Sequence, residues 1–156
     1  MNQTKAEYYK SLPAKRMGAG VLFFNDQNEL LLVQPTYKDT WEIPGGIVEL
    51  SESPRDAVLR EVHEELGLKI EPELLNFTCI EYMSAGKEIS ESLMFVFSGG
   101  VLTENIINQI NLESSELKSF KFVPPSSITE FLGPILGSRI IKCLESSSCF
   151  YSENKY

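Results

Sequence analysis

The chain has 156 residues, 42% of them hydrophobic and 23% charged. That balance suits one domain with one core and excludes disordered, collagen-like and disulfide-dense classes. Its 22 Asp and Glu against 14 Lys and Arg give a formal charge of -8, which argues against coating a nucleic acid polymer or binding a membrane through basic residues. No apolar run reaches the roughly 18 residues of a membrane helix, and MNQTKAEYYK lacks the apolar stretch of a secretory signal, so a cytoplasmic location is expected. Cys79, Cys143 and Cys149 show neither CxxC nor metal-ligand spacing and are read as reduced thiols.

From Met1 to Pro13 the chain is polar with two adjacent tyrosines, compatible with a packed arm or a frayed end. MGAGVLFFN (17–25) and ELLLVQ (29–34) flank the turn-like Asp26-Gln27-Asn28 and predict a β-hairpin. In TYKDTWEIPGGIVEL, Pro44, Gly45 and Gly46 interrupt regular structure before a short strand resumes at Ile47 and Val48. Ser53 to Gly67 predicts a helix, with Ser53 as cap, Pro54 at the first position, Asp56 in the first turn and Gly67 as stop. At about 100° per residue, Val58, Leu59, Val62 and Leu66 share one apolar stripe that must face a sheet.

Strands are expected over 73–84 and 90–101, then a loop or short helix over 103–116 and a half-buried strand over 119–123. Pro124-Pro125 ends that strand. Two short amphipathic helices follow, the later one carrying Leu136, Ile140, Ile141 and Leu144, before the polar tail SSSCFYSENKY. The expected organisation is one domain over 1–156, with a core of about 15–145 and a tail of about 146–156. Strands around one central helix, closed by C-terminal helices, suggest an α/β or α+β layered domain with helices on a mixed sheet.

The chemistry-bearing segment is GIVELSESPRDAVLREVHEELGL, Gly46 to Leu68. On its helix Glu61, Glu64 and Glu65 stand at i, i+3 and i+4 and project from one side. Such a trio repels itself unless a positive group neutralises it, and oxygen ligands suit Mg²⁺ or Mn²⁺. His63 is the only histidine, which disfavours a zinc or copper site. A solvated acidic face is the competing reading. The wider pattern decides between them: Gly46, Glu52, Arg60-Glu61, Val62, Glu64-Glu65, Gly67 and Leu68 fill every defined place of GX5EX7REUXEEXGU. A chance match in a chain this long has odds on the order of one in a million or less.

These residues, with the flanking WEIPGG (Trp41 to Gly46), resemble the Nudix hydrolases, enzymes acting on a nucleoside diphosphate linked to another moiety X. The resemblance implies an α/β/α sandwich with a mixed β-sheet, on which the box forms loop, helix and loop. It implies Glu61, Glu64 and Glu65 as carboxylate ligands of Mg²⁺ (or Mn²⁺) and Gly45 as a backbone-carbonyl ligand. Arg60 is implied as an orienting partner for carboxylates, Glu52 among them, and Gly46, Glu52 and Gly67 as structural members of the motif. Water attacks one phosphorus and the other phosphate departs, giving two phosphorylated fragments.

Glu61 is the first candidate for the base; Glu113, Glu116, Glu88 and Glu91 are alternatives outside the box. Tyr37 and Trp41 are candidates to stack on a base or sugar, Arg16 and Lys38 to meet a phosphate, while Phe95 and Phe97 are expected in the core. Nucleotide sugars, ADP-ribose, dinucleotides and nucleoside triphosphates all remain open as substrate. The expected partner is a small nucleotide rather than a nucleic acid polymer or a membrane, and a homodimer is an arrangement found among related enzymes. Two further readings stand beside hydrolysis: a non-catalytic nucleotide-sensing module, and diphosphate isomerisation using Cys79.

Overall fold

A computed structural model describes residues 3–154. Near the N-terminus, α1 (Lys5–Ser11) is closed by a reciprocal cap in which Thr4 Oγ1 accepts from the Glu7 N–H and the Glu7 carboxylate accepts from the Thr4 N–H. No residue of α1 is buried, so this segment is a capped surface helix, matching neither of the two expected arrangements.

The predicted hairpin forms as β1 (Arg16–Phe24) and β2 (Leu30–Pro35), joined through Asn28 at φ 61°. Next comes β3 (Gly45–Ile47), antiparallel to β1 with Gly45 opposite Gly20 and Gly46 opposite Ala19. Gly45 and Gly46, expected to interrupt regular structure, are therefore strand residues. The reason is close approach: Gly45 has φ 143°, and a Cβ there would collide with the Ala19 carbonyl. After α2 (Pro54–Leu66) come β4 (Asn76–Met83), β5 (Ser92–Val101), the single turn α3 (Glu104–Ile107) and β6 (Leu117–Val123).

Helix α4 (Ile128–Glu145) breaks at Gly133 (φ 71°, ψ 175°) before Pro134, giving the two expected helical pieces. The segment read as a polar tail contains β7 (Phe150–Asn154), parallel to β4.

The strands form one mixed sheet in the order β6-β2-β1-β5-β4-β7, with β3 attached to β1; β1 runs parallel to β5 and the hairpin runs antiparallel. Because successive side chains point to opposite faces, the continuous apolar run of β1 supplies two cores. Ala19, Val21 and Phe23 meet Val58, Val62 and Leu66 of α2, with Leu59 partly buried beside them. Leu22 faces the other way, toward Ile128, Leu132, Ile140 and Cys143 of α4. Helix, sheet, helix is thus an α/β/α sandwich. Burying each of Val58, Val62 and Leu66 contributes about 1.5–3 kcal/mol, which fixes the rotation of α2 and hence the direction of its glutamates. Among the described residues no helix is long and apolar enough to cross a membrane.

Candidate active site

The apolar stripe of α2 turns its opposite side toward β3. There Arg60 is a hub: Nε and Nη2 grip Glu52 at 2.9 and 3.1 Å, and Nη1 donates to Glu61 and Glu64 at 2.8 and 2.9 Å. Nη2 also donates to the Ile47 carbonyl at 3.0 Å, tying the helix to the end of β3. Glu52 accepts in addition from the Glu49 N–H, so the loop before α2 closes onto the same guanidinium. The planar fork of arginine makes this multiple grip possible, and a lysine could not reproduce it. These ion pairs hold the Arg60 pKa above its ordinary value, the Glu52 hydrogen bond first, and draw the Glu52 carboxyl below its own.

The three box glutamates occupy different environments. Glu64 is half exposed, while Glu61 lies against Gly46, where any Cβ would overlap its carboxylate. Glu65 is buried and its Oε2 accepts from the Gly45 N–H at 3.0 Å. Burial pushes the Glu65 carboxyl up to about 8, against the Gly45 hydrogen bond and with repulsion from Glu61, Glu42 and Glu116. Burial likewise raises Glu61, partly offset by Arg60.

Among the described residues no three His, Cys, Asp or Glu side chains converge as a finished cage, and Arg60 spans Glu61 and Glu64. The donor set nevertheless fits a hard divalent cation: carboxylate oxygens in excess of nearby positive charge, beside a buried carboxyl whose ionised form calls for a positive neighbour. Glu61, Glu64, Glu65 and the Gly45 carbonyl are the groups able to hold one.

Next to β3, a cavity of about 620 Å³ opens between the sheet and α4. Gly45, Gly46 and Ile47 form part of its wall, and Tyr37, Trp41 and Phe95 line it as well, while Phe95 also packs, partly buried, against the core beneath α2. Phe97 is buried in the core as read. Trp41 is packed too: the Lys121 ammonium sits 4.5 Å from its ring centroid and Phe131 meets it edge-on at 6.0 Å. Lys38 is paired with Glu42 and lies over Tyr37. Arg16 is exposed at the start of β1, outside this lining, so the structure does not bring it to the site.

Of the acids outside the box, Glu116 is close enough to raise Glu61 and Glu65 electrostatically. The Glu113 N–H donates to the Glu65 carbonyl at 3.2 Å, which docks that loop on the end of α2. Glu91 is instead bound to Lys15 and Tyr82, and Glu88 is exposed in the β4–β5 connection. Cys79 is buried against Cys143 with sulfurs 3.2 Å apart and takes no part in the cavity wall.

One charged cavity residue escaped the sequence reading. Arg139 of α4 is buried in an ion pair with Glu81 of β4. Its signal was available: Arg139 falls on the buried stripe defined by Leu136, Ile140 and Cys143, where an unpaired cation is not tolerated.

A sandwich carrying a glutamate-rich helix held by an arginine fork defines an enzyme of the Nudix type. Comparison with known proteins agrees: the family model described as the NUDIX domain matches residues 14–141. A MutT-like protein of Streptomyces ambofaciens is 30% identical over 133 residues, 83% of this chain and 76% of that protein. The m7GpppN-mRNA hydrolase of Saccharomyces cerevisiae is 31% identical over 121 residues, which are 77% of this chain but only 12% of that longer protein. Among solved structures, the NUDIX domain of Shewanella oneidensis NrtR complexed with ADP ribose superposes with a TM-score of 0.69 at 18% identity, covering 90% of this chain and 96% of that one. The chain belongs to the Nudix hydrolase family, enzymes that cleave pyrophosphate linkages and generally use divalent metals.

Proposed function

We propose that this protein is a cytoplasmic, Mg²⁺-dependent hydrolase of the diphosphate linkage in a small nucleotide, a nucleoside diphosphate bearing a further moiety X or a nucleoside triphosphate. The observation that carries this reading is the placement of the complete box. Glu61, Glu64 and Glu65 lie on one side of α2, Glu65 is buried on the Gly45 N–H, and the Arg60 fork orients its neighbours. Glu61, Glu64, Glu65 and the Gly45 carbonyl would hold the metal, and Mn²⁺ suits the same oxygens. When bound, the ion neutralises charge on the diphosphate and lowers the pKa of an attacking water.

The chain's own part is positioning and proton transfer. Arg60 keeps the carboxylates in one geometry without touching substrate. Glu61, against Gly46 and partly desolvated, accepts the proton of the water as its oxygen bonds to phosphorus. The phosphoanhydride P–O bond breaks and the departing phosphate keeps the bridging oxygen. Glu116, next in the same electrostatic field, is the alternative base. Tyr37 and Trp41 offer ring faces to the nucleoside from the cavity wall. Cys79 lies away from that wall, which argues against the isomerase reading.

The test is a panel of nucleoside diphosphate derivatives and triphosphates incubated with Mg²⁺ and resolved by chromatography. Two phosphorylated fragments should appear from at least one substrate, with turnover falling at least about a hundredfold in Glu64→Gln and Glu65→Gln. Parental turnover in both variants would overturn the metal assignment. Binding without cleavage of any compound would favour the sensing module instead.

A further inference from the structure

We propose that Arg139 reads the base of the bound nucleotide, donating from Nη1 to a keto oxygen, and that β7 positions it through Glu81. This rests on the preceding reading only in seating a nucleotide in the cavity beside β3. That cavity runs from Gly46, the first residue of the box, and the preceding Gly45 to Arg139. A nucleotide whose phosphates lie against the box therefore has space for its ring among Met83, Met94 and Leu136. Only two residues in that lining are charged, Glu42 and Arg139, and Glu42 is already tied to Lys38.

Arg139 is 6% exposed, and its hydrogen bonds account for only part of its donors. Nε and Nη2 are directed to Glu81, and Nη2 also meets the Met83 sulfur at 3.3 Å. Nη1 carries no hydrogen bond among the described residues. No fully buried side-chain nitrogen or oxygen among them lacks a partner, so Nη1 retains access to open space, which the cavity supplies.

The second carboxylate oxygen of Glu81 accepts from Ser152 Oγ and Asn154 Nδ2, both at 3.1 Å. Strand β7 thereby fixes Glu81, and Glu81 fixes the guanidinium: a donor held rigidly in an otherwise apolar wall.

The chemistry selects the ligand group. A phosphate would meet Glu81 as well as Arg139, and their charges already compensate each other, so a neutral acceptor fits better than a dianion. The apolar wall suits a ring face. A keto oxygen, as in hypoxanthine, guanine or uracil, accepts from Nη1. The amino group at the same ring position of adenine or cytosine opposes donor to donor and leaves both unpaired.

Trp41 lines the same cavity and is the sole tryptophan of the chain, so its fluorescence reports occupancy without metal or turnover. Titrating the metal-free protein with IMP and AMP, and with UMP and CMP, should show the keto member bound about tenfold tighter in at least one pair. Arg139→Met alone would strand a buried Glu81, so the variant of choice is Glu81→Leu with Arg139→Met, which replaces the pair by apolar side chains. It should melt cooperatively yet discriminate by less than about twofold. Ser152→Ala with Asn154→Ala, which leaves Arg139 in place, should weaken the keto nucleotide more than its amino counterpart.

Equal binding within both pairs, preference for the amino member, binding of none of the four, or discrimination surviving in the double variant Glu81→Leu/Arg139→Met would each overturn the assignment. An active hydrolase blind to the base would sink this inference alone. Keto-selective binding in a chain that hydrolyses nothing would sink the proposed function alone.

Discussion

Gly46 lacks a side chain at the one place where Glu61 needs the room: a methyl there would occupy the position of the Glu61 carboxylate. Its backbone lies in β3 without positive φ, so Gly46→Ala should fold. The expected result is a thermal midpoint within a few degrees of the parent and turnover reduced at least about a hundredfold, since an angstrom of misplacement has that scale of effect. Circular dichroism and a turnover assay together check it. Glu65 gives a prediction in pH. Its carboxyl titrates near the ordinary 4.5 when unfolded and at about 8 when folded without metal. Between those values the folded chain holds a proton that the unfolded chain has released, so this group makes stability fall as pH rises from about 4.5 to 8. In EDTA, the melting temperature of the parent should decline across that window more steeply than that of Glu65→Gln. Identical slopes would refute the burial argument. Mg²⁺ should raise the parent's midpoint more at pH 8 than at pH 5, where protons compete for the same oxygens.

Helix α2 was the most legible element because its instructions are local. Ser53 Oγ accepts from the Asp56 N–H at 3.1 Å, and Gly67 adopts φ 68° against Asn111. Each is a rule about neighbouring residues, visible without any tertiary context. Ser53→Ala should therefore cost about 1 kcal/mol in urea unfolding. Gly67→Ala should cost about 1–2 kcal/mol, as a side chain forced into the left-handed region does. In both, the denaturation midpoint should move with an unchanged slope; no movement in either would mean that packing alone holds the helix. What was not legible depended on distant partners. Gly45 and Gly46 read as breakers because nothing local shows that β1 approaches them closely. Strand β7 read as tail because Ser152 and Asn154 find their partner in Glu81, some seventy positions earlier. Of the site, helical spacing picked out Glu61, Glu64 and Glu65 and the family resemblance supplied the rest of the box, whereas the cavity and Arg139 required the sheet to be assembled first.

At the scale of the whole molecule, β7 closes one edge of the sheet, and its removal tests whether that edge is structural. Truncation after Ser148 would strip the hydrogen-bonded partner from β4 and the two β7 donors, Ser152 and Asn154, from Glu81. The freed carboxylate oxygen is then met by water, so the penalty is smaller than for an orphaned buried charge. Two lost hydrogen bonds at about 1 kcal/mol each, with lost strand pairing, put the cost at about 3 kcal/mol. For a chain of this size, about 3 kcal/mol corresponds to a fall in the melting midpoint of about 6–12 °C. The exposed edge of β4, with Phe77 already 37% exposed beside it, would offer a template for intermolecular pairing. Light scattering should accordingly show association of the truncated chain at concentrations where the full chain shows less. A truncated protein that keeps the parental midpoint and the parental scattering would show that the last strand is an ornament on the fold, and would remove the mechanical link from the C-terminus to Arg139.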